Sequence, residues 1–221
     1  MKLKFILPSF IAMACALSFT ACSDDDDDDE EKLLSDIEEI ENKIVAAEAV
    51  GNYNVTITPV IYNGEKFYEI SSETDNGTAI AALDDKNLTL TVKDEDGDDV
   101  YKLQKIAEAS NGFTFDVEDF TDGDDVFKGY DAYELKGSDG SSVKYHGGYI
   151  SDTKTLEFYY EAPRKYIEEI LTAELLSDEE FIQGLATIYA IDEETADELV
   201  NDLDALLAKF KLLIRITAVK K

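Results

Sequence analysis

Cysteine, histidine and tryptophan are nearly absent from this sequence. Its 221 residues include two cysteines, one histidine and no tryptophan. Because Cys15 and Cys22 both lie within the first 22 residues, no disulfide can cross-link the chain beyond them, and stability must come from an apolar core. With His146 as the single histidine, zinc sites built from histidine and cysteine clusters are excluded. A catalytic Ser-His-Asp or Cys-His site would have to use His146.

Basic residues are also scarce, with 20 lysines and arginines against 50 aspartates and glutamates and a formal net charge of −30. Such a charge keeps a protein soluble and repels phosphate backbones, which excludes nucleic acid as a partner. The negative charge favours cations or basic partners, although salt screens surface charges beyond about 8 Å.

No apolar run is long enough to remain as a membrane span. The sequence begins with the basic segment Met1–Lys4 and continues with an apolar run over residues 5–19, interrupted only by one proline and two serines. A helix needs about 20 apolar residues to cross a bilayer. The order of basic, apolar and small-residue segments, ending at Ala21-Cys22, therefore predicts a secretory signal peptide over residues 1–21.

The residues around the predicted cleavage site, Phe19-Thr20-Ala21-Cys22, resemble the lipobox of bacterial lipoproteins. The small residues at positions 20 and 21 and the cysteine match that motif, whereas leucine is usual in place of Phe19. The resemblance implies cleavage before Cys22, a diacylglycerol on its thiol, and acylation of the new amino group with a fatty acid such as palmitate. Several acyl chains on one residue would anchor the protein in the outer membrane, because one chain alone binds only marginally. The alternative is ordinary secretion, which would leave Cys22 as an exposed thiol.

An unbroken acidic run follows Cys22 and Ser23. It consists of Asp24, Asp25, Asp26, Asp27, Asp28, Asp29, Glu30 and Glu31. A like-charge block of this length predicts an extended, solvated tether over residues 22–31, and its charge opposes docking on anionic lipid. The Cys-Ser-Asp-Asp-Asp start also resembles the surface-export signal of Bacteroidetes lipoproteins, which implies display on the cell exterior. The two interpretations are compatible.

Beyond the tether, the sequence predicts an amphipathic helix over residues 32–50. Leu33, Ile37, Ile40 and Ile44 recur at steps of three or four residues and form one apolar stripe, with acidic residues on the other face. The glycine that follows ends this helix.

From residue 51 to residue 162 the apolar period changes to two, which predicts strands. Leu88-Thr89-Leu90-Thr91-Val92 is one of several segments with this alternation. Dipeptides that supply positive φ angles punctuate the region and predict hairpins. They are Asn63-Gly64, Asn76-Gly77, Asp96-Gly97, Asn111-Gly112, Asp122-Gly123 and Asp139-Gly140. About seven or eight antiparallel strands joined in this way would close into a barrel, which removes exposed sheet edges.

A helical segment is predicted over residues 163–211. Pro163 opens it, and the capping patterns that start at Ser177 and Asp192 begin two further helices. The residues after this segment, 212–221, alternate again and predict a final strand that pairs with the sheet. The three helices are expected at residues 164–176, 178–190 and 193–210.

A helix, a Gly51-Asn52-Tyr53 opening and a run of hairpins resemble, in this order, the calycin-like, or lipocalin-like, β-barrel lipoproteins of Bacteroidetes. Residues 113–120 resemble one of their middle strands, and residues 148–158 resemble their closing hairpin. The similar part is residues 51–161, about half of the chain. The strand pattern predicts a mainly β fold, an antiparallel meander with an N-terminal helix and a C-terminal helical segment. The resemblance implies that its barrel is closed and calycin-like.

Two acidic turns invite comparison with the calcium loop of helix-loop-helix proteins. Starting at Asp94, acidic residues occupy ligand positions three and five, but the sixth position holds Asp99 instead of glycine, and the twelfth holds Lys105 instead of glutamate. The turn that starts at Asp122 has Val126 at the fifth position. We interpret both as hairpin turns with solubilising charge, and a looser calcium site across two loops stays an alternative.

No other motif indicates catalysis. His146 alternates with Lys144, opposite Val143 and Tyr145, which predicts a surface position on a polar strand face. Close pairs of carboxylates are inevitable among 50 acidic residues and do not identify a glycosidase. Gly147-Gly148 lies between predicted strands and opens no helix, unlike a phosphate-binding loop. We expect no enzymatic activity and no cofactor.

Tyrosine and phenylalanine are abundant, with 12 and 11 copies. At alternate strand positions they could line a ligand cavity or form a platform for sugars, but core packing and cross-strand pairs are the favoured interpretation. The lack of tryptophan argues further against a sugar platform. The residues concerned are Tyr62, Phe67, Tyr68, Tyr101, Tyr130, Tyr133, Tyr145, Tyr149, Phe158 and Tyr160.

Two functions remain open. The first is a non-enzymatic module on the outer-membrane surface that binds a small ligand or glycan through the barrel mouth or a tyrosine-rich face. The alternative is a structural or interaction protein whose helices, at 32–50 and 163–211, dock a partner protein in an envelope complex. A cavity lined by aromatic residues would favour the first, and a filled barrel with an exposed apolar stripe on its helices would favour the second.

Overall fold

The computed structural model describes residues 45–70, 74–83, 87–93, 98–122, 124–136, 141–172, 175–209 and 211–221. All described residues belong to one compact unit, Glu41–Lys221. The predicted signal peptide, the tether and the predicted helix up to residue 44 lie outside the described residues. The end of that predicted helix contains a short 3-10 helix, Ala47–Ala49.

Eight antiparallel strands form a closed barrel, which confirms the predicted mainly β fold. Around the barrel the strands follow the order β1-β3-β4-β5-β6-β11-β12-β13, and β13 pairs again with β1. In chain order, the described strands are β1 (Gly51–Tyr62), β2 (Phe67–Glu69), β3 (Asp75–Leu83), β4 (Leu88–Lys93), β5 (Asp98–Ala109), β6 (Gly112–Val117), β7 (Phe120–Asp122), β8 (Asp125–Gly129), β9 (Tyr133–Lys136), β10 (Ser142–Tyr145), β11 (Gly147–Ile150), β12 (Thr155–Glu161) and β13 (Lys211–Lys220).

The strand predicted for residues 212–221 pairs with the sheet, and the structure shows that it also closes the barrel. In β13, Ile216 lies opposite Ile57 of β1 on one side and opposite Phe158 of β12 on the other. β11 completes the ring, because it pairs with both β6 and β12. Every strand of the ring therefore has two neighbours, and the ring has no open edge.

The other strands lie outside the ring. β2 pairs with the end of β1, and the β7–β8 hairpin is attached to β12 through β8. β9 and β10 form a separate two-stranded sheet. The excursion from β7 to β10 therefore interrupts the meander between β6 and β11, although these two strands are neighbours in the ring.

Several predicted turns are found where the sequence places them. Gly64 has a φ of 98° at the turn after β1, and Gly112 has a φ of 125° at the turn between β5 and β6. β7 and β8 pair on either side of the turn predicted at Asp122. The turns predicted at residues 96–97 and 139–140 lie outside the described residues.

The turn predicted at Asn76-Gly77 is wrong. Both residues lie within β3, where Asn76 pairs with Thr56 and Gly77 pairs with Val55. The long β1 strand offers ladder hydrogen bonds to the whole dipeptide, and this pairing outweighs the local preference for a turn.

Large apolar side chains fill the barrel. Leu88, Leu90 and Val92 of β4 are buried, whereas Thr89 and Thr91 between them are half-buried, as the alternation predicts. Full burial of one such apolar side chain contributes about 1.5–3 kcal/mol to the free energy of folding. The largest fully buried side chains of the barrel strands are Tyr53, Tyr160, Phe113, Phe115, Phe158, Ile61, Leu88, Leu90, Leu103 and Leu156.

The described residues between β12 and β13 form a helical segment, as predicted. Its α-helices are α1 (Arg164–Ile170), α2 (Glu179–Tyr189), α3 (Glu193–Val200) and α4 (Leu203–Lys209), with a 3-10 helix at Leu175–Ser177. The first helix ends earlier than predicted, and the helix predicted over 193–210 is divided in two.

Asn201 and Asp202 divide the third predicted helix. The Asn201 amide donates to the Asp197 carbonyl at 2.7 Å, and Asp202 accepts the backbone N–H of Ala205 at 3.0 Å. These side chains satisfy carbonyl and N–H groups that a helix end exposes, so one helix ends and another begins at this point.

The N-cap of α2 lies one residue later than predicted. Asp178, and not Ser177, caps this helix, since its Oδ1 accepts the N–H groups of Glu180 at 2.8 Å and Phe181 at 3.0 Å. A carboxylate at this position also interacts favourably with the helix dipole. The cap predicted at Asp192 is confirmed, because its side chain accepts the N–H of Thr195 at 2.7 Å.

The helices cover one end of the barrel. Phe181 and Leu185 of α2 and Leu199 of α3 are buried in the same apolar core as the barrel interior. Phe181, Leu185 and Leu199 therefore face this core and not solvent. At the other end of β1, the hydroxyl of Tyr53 donates to the carbonyl of Ala49. Among the described residues, no helix has the length and apolar character needed to cross a membrane.

Candidate functional site

The outward residues of β1, β12 and β13 form an apolar patch on the outside of the barrel wall. Val60, Tyr159 and Leu213 are buried there, and Val60 lies opposite Leu213 in the β1–β13 ladder. Outward apolar side chains gain stability only if other groups cover them. Aromatic rings provide this cover, and we define the outer aromatic cluster as Tyr62, Phe67, Tyr130, Tyr133 and Tyr159 together with Val60 and Leu213.

Three rings of the outer aromatic cluster stack in a row. The ring of Phe67 lies between Tyr62, at a centroid distance of 4.5 Å, and Tyr159, at 5.1 Å. Tyr130 meets Tyr62 edge-on at 5.9 Å, and the Lys211 ammonium lies 5.2 Å from the centroid of Tyr130. Phe67 is 40% exposed, whereas Tyr159 is 4% exposed. The cluster therefore presents aromatic surface to solvent above a buried base.

Two tyrosines of the cluster share one carboxylate. Glu157 Oε1 accepts the hydroxyl of Tyr133 at 2.9 Å and the hydroxyl of Tyr159 at 2.8 Å. Burial raises the pKa of both tyrosines above its usual value, and the charge of Glu157 raises it further. Both hydroxyls therefore stay protonated at neutral pH and hold the rings in place as hydrogen-bond donors.

Arg215 carries a positive charge at the base of the cluster. It lies opposite Tyr159 in the β12–β13 ladder and donates to Glu69 Oε1 at 2.7 Å. Burial opposes the charge of Arg215, but the hydrogen bond and the attraction to Glu69 keep its pKa above the usual value. Its Nε is buried without a hydrogen-bond partner among the described residues.

A tight turn after β1 fixes the start of the segment that carries Phe67. Asn63 Oδ1 accepts the backbone N–H groups of Glu65 at 2.9 Å and Lys66 at 2.8 Å, the local bonding for which asparagine is favoured in turns. The Asn63 amide also donates to the carbonyl of Ile188 in α2 at 2.7 Å. The predicted turn is thus attached to the helical segment.

Tyr68 attaches β2 to the same helix. Its hydroxyl donates to the carbonyl of Glu180 at 3.1 Å, and its ring meets Phe181 edge-on at 6.2 Å. The ring also packs on Gly184, where an added Cβ would lie 2.1 Å from a ring carbon. Successive strand residues point to opposite sides, so β2 directs Phe67 to the cluster while Tyr68 binds the helix.

The structure divides the aromatic residues that the sequence indicates. Core packing is confirmed for the residues that are buried inside the barrel: Tyr101, Tyr149, Phe158 and Tyr160. Others lie in the outer aromatic cluster: Tyr62, Phe67, Tyr130 and Tyr133. Tyr68 contacts α2, and Tyr145 is half-buried at the end of β10.

Sequence reasoning missed Tyr159, Glu157 and Arg215. A signal was present, because Tyr159 occupies a position in β12 where the alternation requires a polar residue. Val60 and Leu213 break the alternation of their own strands in the same way. Only the register of the strands shows that these three exceptions are neighbours.

The prediction that His146 lies on an exposed polar face is wrong. β10 ends at Tyr145, and His146 lies in the bend before β11 with 20% of its side chain exposed. Its Nδ1 is 3.1 Å from both the backbone nitrogen and the carbonyl oxygen of Val117. Its ring fills the space beside Gly129, and Nε2 lies 3.8 Å from Asp131. Because the strand ends at Tyr145, the alternation no longer predicts the side on which the next residue lies.

Lysines neutralise carboxylates near both acidic turns. In the β7–β8 hairpin, Asp125 pairs with Lys165 of α1 at 3.2 Å. At the other turn Asp98 pairs with Lys93, while residues 94–97 lie outside the described residues. Within the described part of the chain, no group of three or more histidine, cysteine, aspartate or glutamate side chains could hold a metal ion.

An open groove of about 350 Å³ lies between α2 and α3. Ile182 and Gln183 line it together with four acidic residues, Glu179, Glu193, Glu194 and Asp197. Three of these acids lie in the first turns of the two helices, where the helix dipole favours negative charge. Their positions therefore have a structural explanation that requires no ligand.

A comparison of the chain with models of protein families, with curated proteins and with solved structures finds no match. The predicted lipidation residue, Cys22, and the predicted export residues, Ser23 and 24–29, lie outside the described residues. Within the described part of the chain, the outer aromatic cluster is the candidate binding site.

Proposed function

We propose that this protein is a non-enzymatic binding module that captures a glycan on its outer aromatic cluster. The observation that carries the proposal is the row of stacked rings in which Phe67 is exposed between Tyr62 and Tyr159. Tyr62 and Tyr159 stack on the Phe67 ring, but 40% of Phe67 remains exposed and offers apolar ring surface against which the C–H groups of a sugar can pack. An exposed, rigidly held aromatic row suits such a ligand.

The rim of the cluster supplies donors and acceptors for sugar hydroxyls. Lys211 and Glu161 pair at 2.8 Å, and their side chains are both about half-exposed. Glu69 is similarly exposed where it accepts from Arg215. Surface ion pairs of this kind contribute only about 0–1 kcal/mol to stability, so a ligand can exchange their hydrogen bonds at little cost.

We propose further that the barrel is calycin-like and that the protein is anchored on the outer face of the outer membrane. The single closed ring of eight antiparallel strands supports the first point. The lipobox-like residues before Cys22 and the acidic run after it support the second. In this arrangement the outside of the barrel wall, and not its filled interior, binds the ligand.

Glycan binding is tested by isothermal titration of the chain from Ser23 to Lys221 with maltohexaose, xylohexaose and chitohexaose. We expect at least one of these to bind with a dissociation constant on the order of 0.1–1 mM, since a few stacking contacts give low affinity. Phe67→Ala should weaken this binding at least tenfold, because it removes the central ring of the row.

Two variants serve as controls for this experiment. Phe67→Tyr keeps a ring in the row and should bind within a factor of three of the unchanged protein. Tyr145→Ala removes a half-buried ring from β10, outside the cluster, and should leave binding unchanged. If none of the sugars binds at 5 mM, or if Phe67→Ala and Tyr145→Ala weaken binding equally, the glycan site is not the outer aromatic cluster.

Surface display is tested by removing the charges next to Cys22. If residues 23–29 are an export signal, replacing the four aspartates at positions 24–27 with alanine should leave the protein lipidated but facing the periplasm. Protease added to intact cells would then digest the unchanged protein and spare the variant. As a matched control, replacing residues 28–31 with alanine removes the same number of charges farther from the cysteine. If all three proteins are digested equally, the aspartates act only as a spacer and not as an export signal.

A second candidate function is docking of a partner protein by the helical segment in the groove between α2 and α3, although the helix ends alone account for three of its four acidic residues. The buried apolar stripes leave the acidic sides of these helices in solvent, so the partner would present a basic segment. Charge reversal at Glu193 and Glu194 would then abolish capture of that partner from the cell envelope and leave sugar binding intact.

A further inference from the structure

Among the described residues, one side of the barrel wall has no outward acidic side chain on four adjacent strands. On the adjacent strands β4, β3, β1 and β13, none of the described outward residues is acidic, although 50 of the 221 residues of the chain are. We define the neutral face as the exposed and half-exposed part of this wall outside the outer aromatic cluster and outside the two cations beside that cluster, Lys211 and Arg215. It consists of Asn52, Asn54, Thr56, Asn76, Thr78, Ile80, Ala82, Thr89, Thr91, Lys93, Thr217 and Val219, together with Val100 of the neighbouring β5.

The strand registers make the neutral face one continuous surface. Ile80 lies opposite Asn52 on one side and Thr91 on the other, and Thr91 lies opposite Val100. Strands are about 4.8 Å apart and residues on the same side of a strand about 7 Å apart, so these side chains form a regular array. The adjacent row of the array contains Val219, Asn54, Thr78 and Lys93.

The neutral face can make apolar contacts and carries almost no charge. Val100, Ile80 and Val219 are 54%, 46% and 45% exposed. Lys93 is paired with Asp98 of β5. The remaining side chains are mostly threonine and asparagine, and none is aromatic, so the face has no surface on which a sugar could stack.

We propose that a second copy of this chain packs on the neutral face, sheet against sheet. Without the predicted signal peptide and tether, 18 basic and 42 acidic residues remain, a net charge of −24. Two copies therefore repel each other wherever their acidic surfaces meet. A basic partner would bind the acidic surface and would need no neutral face. A partner that is itself acidic must meet a face without carboxylates, and a second copy is the acidic partner that this sequence specifies.

The size of the neutral face predicts a weak dimer. Thirteen positions in such an array span roughly 400 Å² of sheet on each copy. Interfaces that bury less than about 1,200 Å² in total belong to weak or transient complexes. A twofold axis through the face places the same residues of both copies together, and we expect a dissociation constant on the order of 10–100 μM.

Sedimentation equilibrium of the chain from Ser23 to Lys221 tests this proposal without the lipid. The average mass should rise from one chain towards two between about 10 and 500 μM protein. The dimer should also tighten severalfold between about 0.05 and 0.5 M NaCl, because salt screens the repulsion between two acidic copies. A dimer held by pairs of opposite charges would weaken over the same range.

A matched pair of variants locates the interface. Val100→Asp and Val143→Asp add the same charge at valines of nearly equal exposure, 54% and 52%, but Val143 lies on β10, outside the neutral face. Val100→Asp should weaken association at least tenfold, because it places an unpaired carboxylate in a contact where the Lys93–Asp98 pair is otherwise neutral. Val143→Asp should change association less than twofold. Circular dichroism of both variants confirms that the barrel is intact.

A second variant checks that the result does not depend on a local effect at Val100. Val219 lies on β13, on the far side of the neutral face, and Val219→Asp should also weaken association at least tenfold. Val100→Thr adds no charge and should leave the dimer unchanged. The proposal is overturned if the unchanged chain stays monomeric up to about 1 mM protein in 0.5 M NaCl. It is also overturned if a dimer forms and Val143→Asp weakens it as much as Val100→Asp does.

Discussion

We expect Cys22→Ala to move this protein from the membrane fraction to the soluble fraction. The thiol of Cys22 is the predicted attachment point for the lipid. Each buried methylene contributes about 0.8 kcal/mol, so two or more acyl chains hold a protein essentially permanently, whereas an unlipidated chain has no such attachment. The measurement is fractionation of cells after a high-salt wash, with mass spectrometry of the purified protein to detect the acyl chains.

Cys15→Ala is the matched control for this prediction. It makes the same substitution in the predicted signal peptide, which is removed, so both lipid and membrane location should be retained. The double variant Phe19→Ala and Cys22→Ala creates an Ala-Thr-Ala cleavage site, which lets ordinary secretion release the chain. If the double variant stays in the membrane fraction after the wash, the lipoprotein interpretation is wrong.

The second large effect is expected at Gly112, where β5 turns into β6. Its φ of 125° is a conformation that only glycine adopts readily, and an added Cβ would lie 1.9 Å from the carbonyl oxygen of Tyr149. Tyr149 belongs to β11, the strand that joins β6 to β12 in the ring. Gly112→Ala therefore combines backbone strain with a clash against the backbone of that strand. We expect a loss of more than about 3 kcal/mol in the free energy of unfolding.

Two glycines separate the strain from the clash. Gly64 has a φ of 98° with no atom within 4 Å of an added Cβ, so Gly64→Ala should cost only the strain, about 1–2 kcal/mol. At Gly77 the nearest atom would lie at 3.7 Å and φ is not positive, so Gly77→Ala should change stability by less than about 0.5 kcal/mol. Thermal melts and urea titrations measure all three. If Gly112→Ala and Gly64→Ala lower the melting temperature equally, β11 yields to the added methyl group without cost.

Two structural features distinguish between the functional hypotheses: whether the barrel has a cavity, and whether the helices expose an apolar stripe. These features do not agree on one hypothesis. The interior of the barrel is packed with buried side chains such as Phe115 and Phe158, which does not favour a ligand in the barrel mouth. In α2 and α3 the apolar residues Phe181, Leu185 and Leu199 are buried in the core, which does not favour docking through the apolar sides of these two helices. Both observations direct attention to the outside of the wall, where the outer aromatic cluster and the neutral face lie on different parts of the ring.

Local chemistry in the sequence was sufficient for the elements that depend on neighbours along the chain. The alternation of Leu88 to Val92 predicts which residues of β4 face the core, because side chains of a strand alternate between its two sides. Asp192 predicts a helix start, because its carboxylate reaches the free N–H groups of the first turn. The pattern of residues 212–221 predicts a final strand, and the structure shows that this strand closes the barrel.

The tertiary structure decided what depends on contacts between distant segments. Asn76-Gly77 became strand because β1 lies beside it, and His146 became half-buried because Val117 and Gly129 receive its ring. The outer aromatic cluster exists because the register of β1, β12 and β13 brings Val60, Tyr159 and Leu213 together. A sequence specifies the side on which each strand residue points, but the neighbours of that residue follow from register, and register is set by the packing of the whole barrel.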